Sequence, residues 1–344
     1  MPRKKSTQPT LEDIAARSGV SLTTVSRVIN QSHLVSEDAT LKVRQAMEEL
    51  GVEPKRPKSR TGILLFIVPE FTNPSTDLVL AGAQEEAERM GLGLLVMTVA
   101  QYPERNKPNL KVLKQFPFDG VIVTHSELTP ERIFELSNRS DFPLVVYGRS
   151  LDTPHVHCID IDRDNAYYQA TKYLITLGHQ RIAFLSGPVE WYISQQRLKA
   201  IQRALAEANL ALDPDLHRWS VPTIDEAARI ATTVLNLPIE KRPTAILGFN
   251  DLVAFGAMSA ARSLGLRIPD DVSVIGSDDI YLASHTNPPL TSISQPHYRA
   301  GQLAVQKISN SLSGAQDDTE GVTMLSCPLA VRESTGPCPS QTMS

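Results

Sequence analysis

Hydrophobic residues in the first fifty positions recur with helical spacing. Leu11, Ile14 and Ala15 stand at positions i, i+3 and i+4, and two similar stripes follow before residue 51. Gly19 separates the first two stripes, and a residue suited to cap a helix precedes each stripe. These capping residues are Thr10, Ser21 and Ser36. The pattern predicts three short helices, the first two of which form a helix-turn-helix unit.

Beyond residue 61 the chain alternates short apolar runs of β type with helical segments. The predicted strands cover residues 62–68, 92–98, 119–123, 143–147, 181–185, 243–247 and 272–276. The predicted helices cover residues 75–90, 130–139, 164–177, 194–208, 224–236 and 250–265. This alternation is typical of an α/β fold with a doubly wound parallel sheet. No G-x-G-x-x-G or P-loop sequence follows a predicted strand, which argues against dinucleotide and nucleoside triphosphate sites.

Composition indicates a folded protein with an uneven distribution of charge. The 344 residues are 41% hydrophobic and 21% charged, as expected for two or three globular domains. Residues 1–60 hold 11 Lys and Arg against 7 Asp and Glu, whereas the remainder is acidic. A basic head suits a polyanion such as DNA, although a solvated basic tail explains the charge equally well.

Cysteine spacing and the N-terminus limit the remaining classes. Cys158, Cys327 and Cys338 are odd in number and far apart, so we expect free thiols and neither a disulfide framework nor a metal site. The histidines lack ligand spacing, and we expect no metal and no cofactor. No secretion signal and no apolar run long enough to cross a bilayer is present, so we expect a cytoplasmic, nucleoid-associated protein without a membrane partner.

The outer face of the second predicted helix has the residues of a DNA recognition helix. Its candidate contacts are Ser21, Leu22, Thr23, Thr24, Ser26, Arg27 and Asn30. Arg27 can donate two hydrogen bonds to guanine, and Leu22 can contact a thymine methyl group. The hydroxyl and amide side chains suit phosphate oxygens. The same pattern would also fit an ordinary capped helical hairpin.

A second group of candidates follows the carboxyl ends of the predicted strands, where ligands of open α/β sheets bind. The polar members are Arg149, Arg197, Asn250 and Asp278, and the aromatic members are Trp191 and Trp219. Guanidinium and carboxylate groups can hold sugar hydroxyls in paired hydrogen bonds, and indole faces can stack on a sugar ring. We therefore expect a carbohydrate or oligosaccharide effector. Taken alone, each residue would also fit a helix cap, an ion pair or buried packing.

The segment Thr10–Asn30, TLEDIAARSGVSLTTVSRVIN, resembles the signature of the lactose/galactose repressor (LacI/GalR) family. Further blocks resemble its effector domain in family order, namely LGHQRIAFL at 177–185, FND at 249–251, PDDVSVIG at 269–276 and PLTSI at 289–293. The resemblance implies a three-helix head and a two-lobed, type I periplasmic-binding-protein-like domain. It also implies a homodimer on a pseudopalindromic operator. By residue match, Arg197, Asn250 and Asp278 take effector positions, and His33 takes a DNA-backbone position.

The linker departs from that family. Residues 54–61 are basic and contain two prolines, whereas the family has a longer segment whose hinge helix inserts a leucine into the minor groove. We therefore expect Lys55 and Arg56 to contact phosphates, with a plain flexible tether as the alternative. The predicted divisions are a DNA-binding head at 1–53, this linker, an effector and dimerisation domain at 62–336, and a disordered tail at 337–344.

The sequence thus predicts a sequence-specific DNA-binding transcriptional regulator, a repressor, whose operator affinity is controlled by a sugar or oligosaccharide. A cytoplasmic sugar-binding protein, or a regulator that responds to a non-sugar ligand such as a nucleobase, is the alternative. An enzyme is the weakest hypothesis, because the chain has no G-x-S-x-G elbow and no zincin motif.

Overall fold

The computed structural model describes residues 10–29, 35–50, 52, 60–68, 73–98, 116–124, 133–134, 137, 142–153, 156–313 and 321–339. The chain divides into two compact units, Met1–Thr61 and Gly62–Ser344. The described helices include none with the length and apolarity that a bilayer crossing requires.

The described part of the first unit contains three helices, α1 (Leu11–Ser18), α2 (Leu22–Ile29) and α3 (Glu37–Glu49). Thr10 and Asp13 form a reciprocal capping box at the start of α1, and Gly19 ends that helix with φ 70°. The helices pack around five buried side chains: Ile14, Val25, Val43, Ala46 and Met47. The predicted caps Thr10, Ser21 and Ser36 are all confirmed.

The second unit has two lobes, each built around a six-stranded sheet. The first elements of the N lobe are β1 (Ile63–Val68), α4 (Pro74–Arg89), β2 (Gly93–Thr98), β3 (Gly120–Thr124), β4 (Leu144–Tyr147) and β5 (Val156–Ile161). The strands are parallel in the order β2-β1-β3-β4-β5-β11, where β11 (Val322–Leu325) joins from late in the chain. Packing on both faces explains the nearly continuous apolar runs of β1 and β3.

The C lobe repeats this architecture. Its elements are α5 (Arg163–Thr176), β6 (Ile182–Ser186), α6 (Tyr192–Glu207), β7 (His217–Trp219), α7 (Ile224–Leu235), β8 (Ala245–Gly248), α8 (Asp251–Ser263), β9 (Ser273–Ser277), β10 (Thr291–Ile293) and β12 (Leu329–Ala330). The strand order is β7-β6-β8-β9-β10-β12, and only β12 is antiparallel to its neighbour. The direction of winding changes between β6 and β8, so a ligand crevice is expected at their carboxyl ends.

The chain passes between the lobes three times, after β5, after β10 and after β11. The second crossing leads into α9 (His297–Ser313), which packs against α4 in the N-lobe core. Two glycines permit the close approach of these helices. A Cβ atom at Gly82 would lie 1.9 Å from the Tyr298 carbonyl oxygen, and one at Gly301 would lie 2.0 Å from the Val79 carbonyl oxygen.

The predicted fold class, a helix-turn-helix head followed by a two-lobed doubly wound domain, is confirmed. The seven predicted strands are present to within two residues, as are five of the six predicted helices. The sixth, at 130–139, lies largely outside the described residues. Strands β5, β7, β10, β11 and β12 and helix α9 were not predicted.

The first residues of the predicted tail at 337–344 are described and contact the C lobe. Cys338 donates its backbone N–H to the Leu177 carbonyl oxygen at 2.8 Å, so the packed chain continues beyond residue 336 to Pro339. Its Cβ atom also lies close to Gly178, where a glycine with φ 90° turns the chain after α5. Residues 340–344 lie outside the described residues.

Candidate functional site

Helix α2 presents its first turn to solvent. Ser21 caps the helix, because its Oγ accepts a hydrogen bond from the Thr24 backbone N–H at 3.1 Å. Val25, on the opposite side, is fully buried, whereas Ser21, Leu22 and Thr23 are exposed. Leu22 remains 47% exposed although burial would stabilise it. An exposed leucine between hydroxyl side chains offers apolar and polar contacts to base edges.

Apolar packing holds α2 against the other two helices, which carry two polar contacts of their own. Hydrogen bonds from the Thr10 backbone and side chain lower the pKa of Asp13 at the start of α1. Arg17 Nε lies 2.5 Å from Glu49 Oε2, which joins α1 to α3. Both contacts are exposed and therefore screened by water and salt.

The predicted DNA contacts fall into two groups. Six belong to α2 or its cap: Ser21, Leu22, Thr23, Thr24, Ser26 and Arg27. Of these, Thr24 and Ser26 are half-buried, and the side chain of Arg27 lies outside the description. Asn30, His33, Lys55 and Arg56 lie outside the described residues.

The second candidate site lies at the carboxyl edge of the C-lobe sheet. Strands β6 and β8 end there at Ser186 and Gly248, and the next residues turn across this edge. A Cβ atom at Gly187 would lie 2.9 Å from the Phe249 ring. Glycine therefore lets the chain pass close to this ring, which forms part of the floor of the site.

Arg197 extends from α6 to this edge and is 4% exposed. Its Nη1 donates to the Phe249 carbonyl oxygen, and its guanidinium lies 4.1 Å from the Phe249 ring centre and 4.9 Å from that of Tyr167. Burial lowers the pKa of Arg197, and Tyr167 and Asp278 oppose that effect. Its Nε atom has no hydrogen-bond partner among the described residues. A buried cation with a vacant donor is suited to a ligand that supplies the missing acceptor.

Asp278 follows β9 with an uncommon backbone conformation. Its φ is 114° and that of Asp279 is 54°, values that non-glycine residues seldom adopt. Asp251 holds the turn, because its carboxylate accepts from Ile280 N–H at 2.8 Å and from Ser292 Oγ–H at 2.6 Å. Burial and the nearby charge of Asp278 raise the pKa of Asp251 well above its usual range. Strain held in place in this way is common at binding sites.

A side chain that follows β10 also orients the Asp278 carboxylate. Gln295 Nε2 donates to Asp278 Oδ1 at 2.6 Å and to Ser277 Oγ at 2.9 Å. Arg332 Nη2 donates to Asp279 Oδ1 at 2.6 Å on the other side of the turn. The Asp278 side chain is therefore presented in a defined direction.

Asn250 is the N-cap of α8. Its Oδ1 accepts from the Val253 backbone N–H at 3.0 Å, and the residue is 2% exposed. The capping role that the residue type also fits is thus present in the structure. With Oδ1 engaged in the cap, Nδ2 is the Asn250 atom left to donate to a ligand.

Aromatic residues surround these polar groups. Trp191 directly precedes α6, is half-buried, and lies 5.8 Å from the Phe249 ring at an angle of 57°. Trp219 is the last residue of β7, pairs with Ser186 and is 56% exposed. The Arg149 guanidinium, from the N lobe, lies 5.1 Å from the centre of the Tyr192 ring in the C lobe.

The N-lobe side of the crevice is represented mainly by Arg149. Residues 69–72, 99–115 and 125–132, which follow β1, β2 and β3, lie outside the described residues. Within the described part of the chain, no group of three or more His, Cys, Asp and Glu residues is placed to hold a metal ion.

Sequence reasoning missed several residues that build the C-lobe site. These are Tyr167, Tyr192, Phe249 and Gln295. Asp251, by contrast, has a signal in the sequence, since it stands next to Asn250 shortly after a predicted strand. Tyr167 had none, because its contact with Arg197 joins two different helices of the C lobe.

Two family models match the chain. Residues 10–55 match the description "Bacterial regulatory proteins, lacI family". Residues 171–335 match "Periplasmic binding protein-like domain". The first covers the three-helix head and the second covers most of the C lobe and the returning segment of the N lobe.

Individual proteins are similar over nearly the whole chain. The HTH-type transcriptional repressor PurR of Vibrio campbellii is 37% identical over 302 residues, which is 86% of this chain and 90% of that protein. The structure of the transcriptional regulator CelR in complex with cellobiose covers 95% of this chain and 99% of its own, with 30% identity and a TM-score of 0.69. The lac repressor dimer bound to operator and the anti-inducer ONPF covers 96% and 100%, with 28% identity and a TM-score of 0.71.

The similarity to PurR extends over 86% of this chain, and the two family models match the head and most of the C lobe. A recognition helix in one unit and a ligand crevice in the other are the parts of a regulator whose DNA binding is controlled by a small molecule. The chain therefore belongs to the LacI family of bacterial regulatory proteins and is an effector-controlled, DNA-binding transcriptional repressor.

Proposed function

We propose that the first turn of α2 enters the major groove of the operator. The proposed contacts are Ser21, Leu22, Thr23, Thr24, Ser26, Arg27 and Asn30, with His33, Lys55 and Arg56 on the DNA backbone. The exposed first turn, with Leu22 between Ser21 and Thr23, supports this assignment. The basic charge of residues 1–60 adds affinity that does not depend on base sequence.

The repressor acts in the cytoplasm as a homodimer on a pseudopalindromic operator. A single recognition helix reads only a few base pairs, and two related half-sites supply the rest of the specificity. The similar lac repressor structure is a dimer bound to operator, which supports the same arrangement here.

The effector binds in the crevice at the carboxyl edge of the C-lobe sheet, between the two lobes. Its proposed contacts are Arg149, Trp191, Arg197, Trp219, Asn250 and Asp278. The observation that carries this assignment is the buried Arg197 guanidinium, whose Nε has no partner within the described part of the chain. Effector binding changes operator affinity only if the two lobe arrangements bind the effector with different affinity.

A carbohydrate is the first candidate effector. The crevice combines a cation, a carboxylate and an amide donor with half-buried Trp191 and exposed Trp219, a set that suits hydroxyl groups and the apolar face of a pyranose ring. Two separated indoles also suit a ligand longer than one sugar. The similar CelR structure contains cellobiose, which supports this class.

A nucleobase is the second candidate. The relative with the highest identity cited above is a PurR repressor. A planar heterocycle could stack on the same aromatic residues. Arg197 and Asp278 would then pair with ring acceptors and donors instead of hydroxyl groups.

Isothermal titration calorimetry of the full-length protein with glucose, cellobiose, guanine and hypoxanthine separates the two classes. We expect saturable binding to a member of one class, and Arg197→Ala should weaken it at least tenfold because a charge-assisted hydrogen bond is lost. Arg203→Ala is the matched control, since Arg203 lies on the same helix but forms an exposed ion pair with Asp164. Equal losses for the two variants would contradict the crevice assignment.

Operator binding is measured in parallel by fluorescence anisotropy with and without the bound compound. We expect Arg197→Ala to bind the operator as the wild-type protein does while its response to the compound disappears. Loss of operator binding by Arg197→Ala at temperatures where the protein is folded would contradict the assignment of DNA binding to the first unit and effector binding to the second.

A further inference from the structure

A buried series of polar side chains connects the two lobes where the chain crosses from β10 to α9. Tyr147 Oη lies 2.9 Å from His297 Nδ1, and His297 Nε2 lies 3.5 Å from Asp278 Oδ1. Tyr147 ends β4 in the N lobe, His297 begins α9, and Asp278 follows β9 in the C lobe. All three are buried, with exposed fractions of 0%, 1% and 6%.

The surroundings define the direction of these contacts. The Asp278 carboxylate can only accept hydrogen bonds, so we expect the proton on the nitrogen that faces it, Nε2, which leaves Nδ1 to accept from the Tyr147 hydroxyl. A neutral imidazole that accepts at Nδ1 has its own proton on Nε2, the atom that faces Asp278. The series therefore runs from the Tyr147 hydroxyl through His297 to the Asp278 carboxylate.

Charged groups from neighbouring elements surround the series. Arg163, on α5, is 3% exposed and pairs with Asp160 at 2.8 Å, and Arg197 approaches from α6. Asp160 and Asp278 provide the negative charges, and both arginines are buried.

We propose that His297 is a positioning residue that orients the effector-binding carboxylate of Asp278, and that Tyr147 makes this orientation depend on the N lobe. The role at the effector rests on the function proposed above, whereas the contacts themselves do not. The affinity for an effector that binds Asp278 would then depend on the relative position of the lobes, although the effector does not contact Tyr147. The 3.5 Å contact would shorten to a hydrogen bond as the lobes close on the effector.

The first test needs no effector. In the full-length protein with ¹⁵N-labelled histidine, His297→Gln identifies the signals of His297 among the 8 histidines. We expect the Nε2–H tautomer, and we expect Tyr147→Phe and Asp278→Asn each to shift those signals. His157→Gln is the control, because His157 contacts Ser311 at 2.9 Å within the N lobe and should leave them unchanged. An Nδ1–H tautomer, or signals that Asp278→Asn does not move, would overturn the proposal.

The second test measures affinity for cellobiose and for hypoxanthine by calorimetry. We expect His297→Leu to weaken binding about tenfold, because Asp278 loses a donor, and His297→Gln to recover most of that loss by offering an N–H in its place. Tyr147→Phe should fall between the two. Equal affinities for the Leu and Gln variants would overturn the proposal, since a packing role alone gives no reason for recovery by glutamine. If neither compound binds the wild-type protein, the proposed ligand classes fail, and the NMR experiment still decides the contacts.

Discussion

The α4–α9 crossing allows a stability prediction that requires no ligand. In Gly82→Ala the new Cβ atom would lie 1.9 Å from the Tyr298 carbonyl oxygen, whereas real Cβ contacts essentially never fall under 3.0 Å. The obstacle is backbone and cannot rotate away, so the helices must separate by about 1 Å. Gly301→Ala meets the Val79 carbonyl oxygen at 2.0 Å and should behave in the same way.

The magnitude follows from two opposing effects. Forced separation of packed helices costs typically about 1–3 kcal/mol, and sometimes more. Alanine in place of glycine within a helix offsets about 1 kcal/mol of that cost through its higher helix propensity. Because the overlap involves backbone atoms at the centre of the crossing, we expect a packing cost of about 3 kcal/mol, the upper part of the range. After the offset from helix propensity, each variant should lose about 2 kcal/mol of unfolding free energy.

Urea unfolding followed by far-ultraviolet circular dichroism measures this loss. Gly93→Ala is the matched control, because its Cβ atom would have no neighbour nearer than the Gly62 carbonyl oxygen at 3.8 Å, and it lies in the same lobe. We expect its midpoint to match that of the wild-type protein. If Gly82→Ala and Gly301→Ala unfolded at that same midpoint, the close helix contact would not exist in solution.

Three further measurements address the two units separately. Arg27→Ala should lower operator affinity by about 1–3 kcal/mol and relax the preference at one base pair. Lys55→Ala should weaken binding to operator and to random DNA alike, and should reduce the slope of log affinity against log salt concentration by about one. Identical behaviour of the two variants would contradict the distinction between a base contact and a phosphate contact. Burial lowers the pKa of His179, so the unfolded chain takes up a proton first and the unfolding free energy should fall as the pH drops below 6.5. His179→Gln should have a shallower pH dependence between pH 7.5 and 5.5, and an unchanged slope would exclude His179 as its source. Burial raises the pKa of Cys327 to about 12, so little of this thiol is ionised at pH 8. In a variant with Cys327 as its only cysteine, the thiol should react with a disulfide reagent at pH 8 much more slowly than free cysteine does. An equal rate would contradict this expectation.

The sequence predicted the head well because its boundaries depend on local chemistry. Thr10, Ser21 and Ser36 each accept a hydrogen bond from the backbone N–H three residues later, and such contacts can be predicted from the order of residues alone. Strands β7 and β12, by contrast, are only three and two residues long, too short to show a period. They form because a neighbouring strand supplies their hydrogen bonds, which is a property of the assembled sheet.

The candidate crevice was predictable in part. Parallel sheets bind ligands at the carboxyl ends of their strands, a rule that points to Arg197 and Asp278, and both residues lie there in the structure. Their partners were not predictable in the same way. Tyr147 and His297 stand 150 residues apart, and their contact depends on how the second crossing joins the lobes. No local pattern encodes a contact of this kind.

The three passages between the lobes also determine the order in which the molecule can be completed during synthesis. Strands β1 to β5 are synthesised before the C-lobe segment, yet the core that they share with α4 is filled by Ala300, Ala304, Val305 and Ile308, which are synthesised after that segment. Strands β6 to β10, by comparison, form one uninterrupted stretch of the chain. The half of the domain that is translated second can therefore assemble five of its six strands before α9 completes the core of the half that is translated first. A nascent chain that stops before residue 297 exposes an apolar surface on the earlier half.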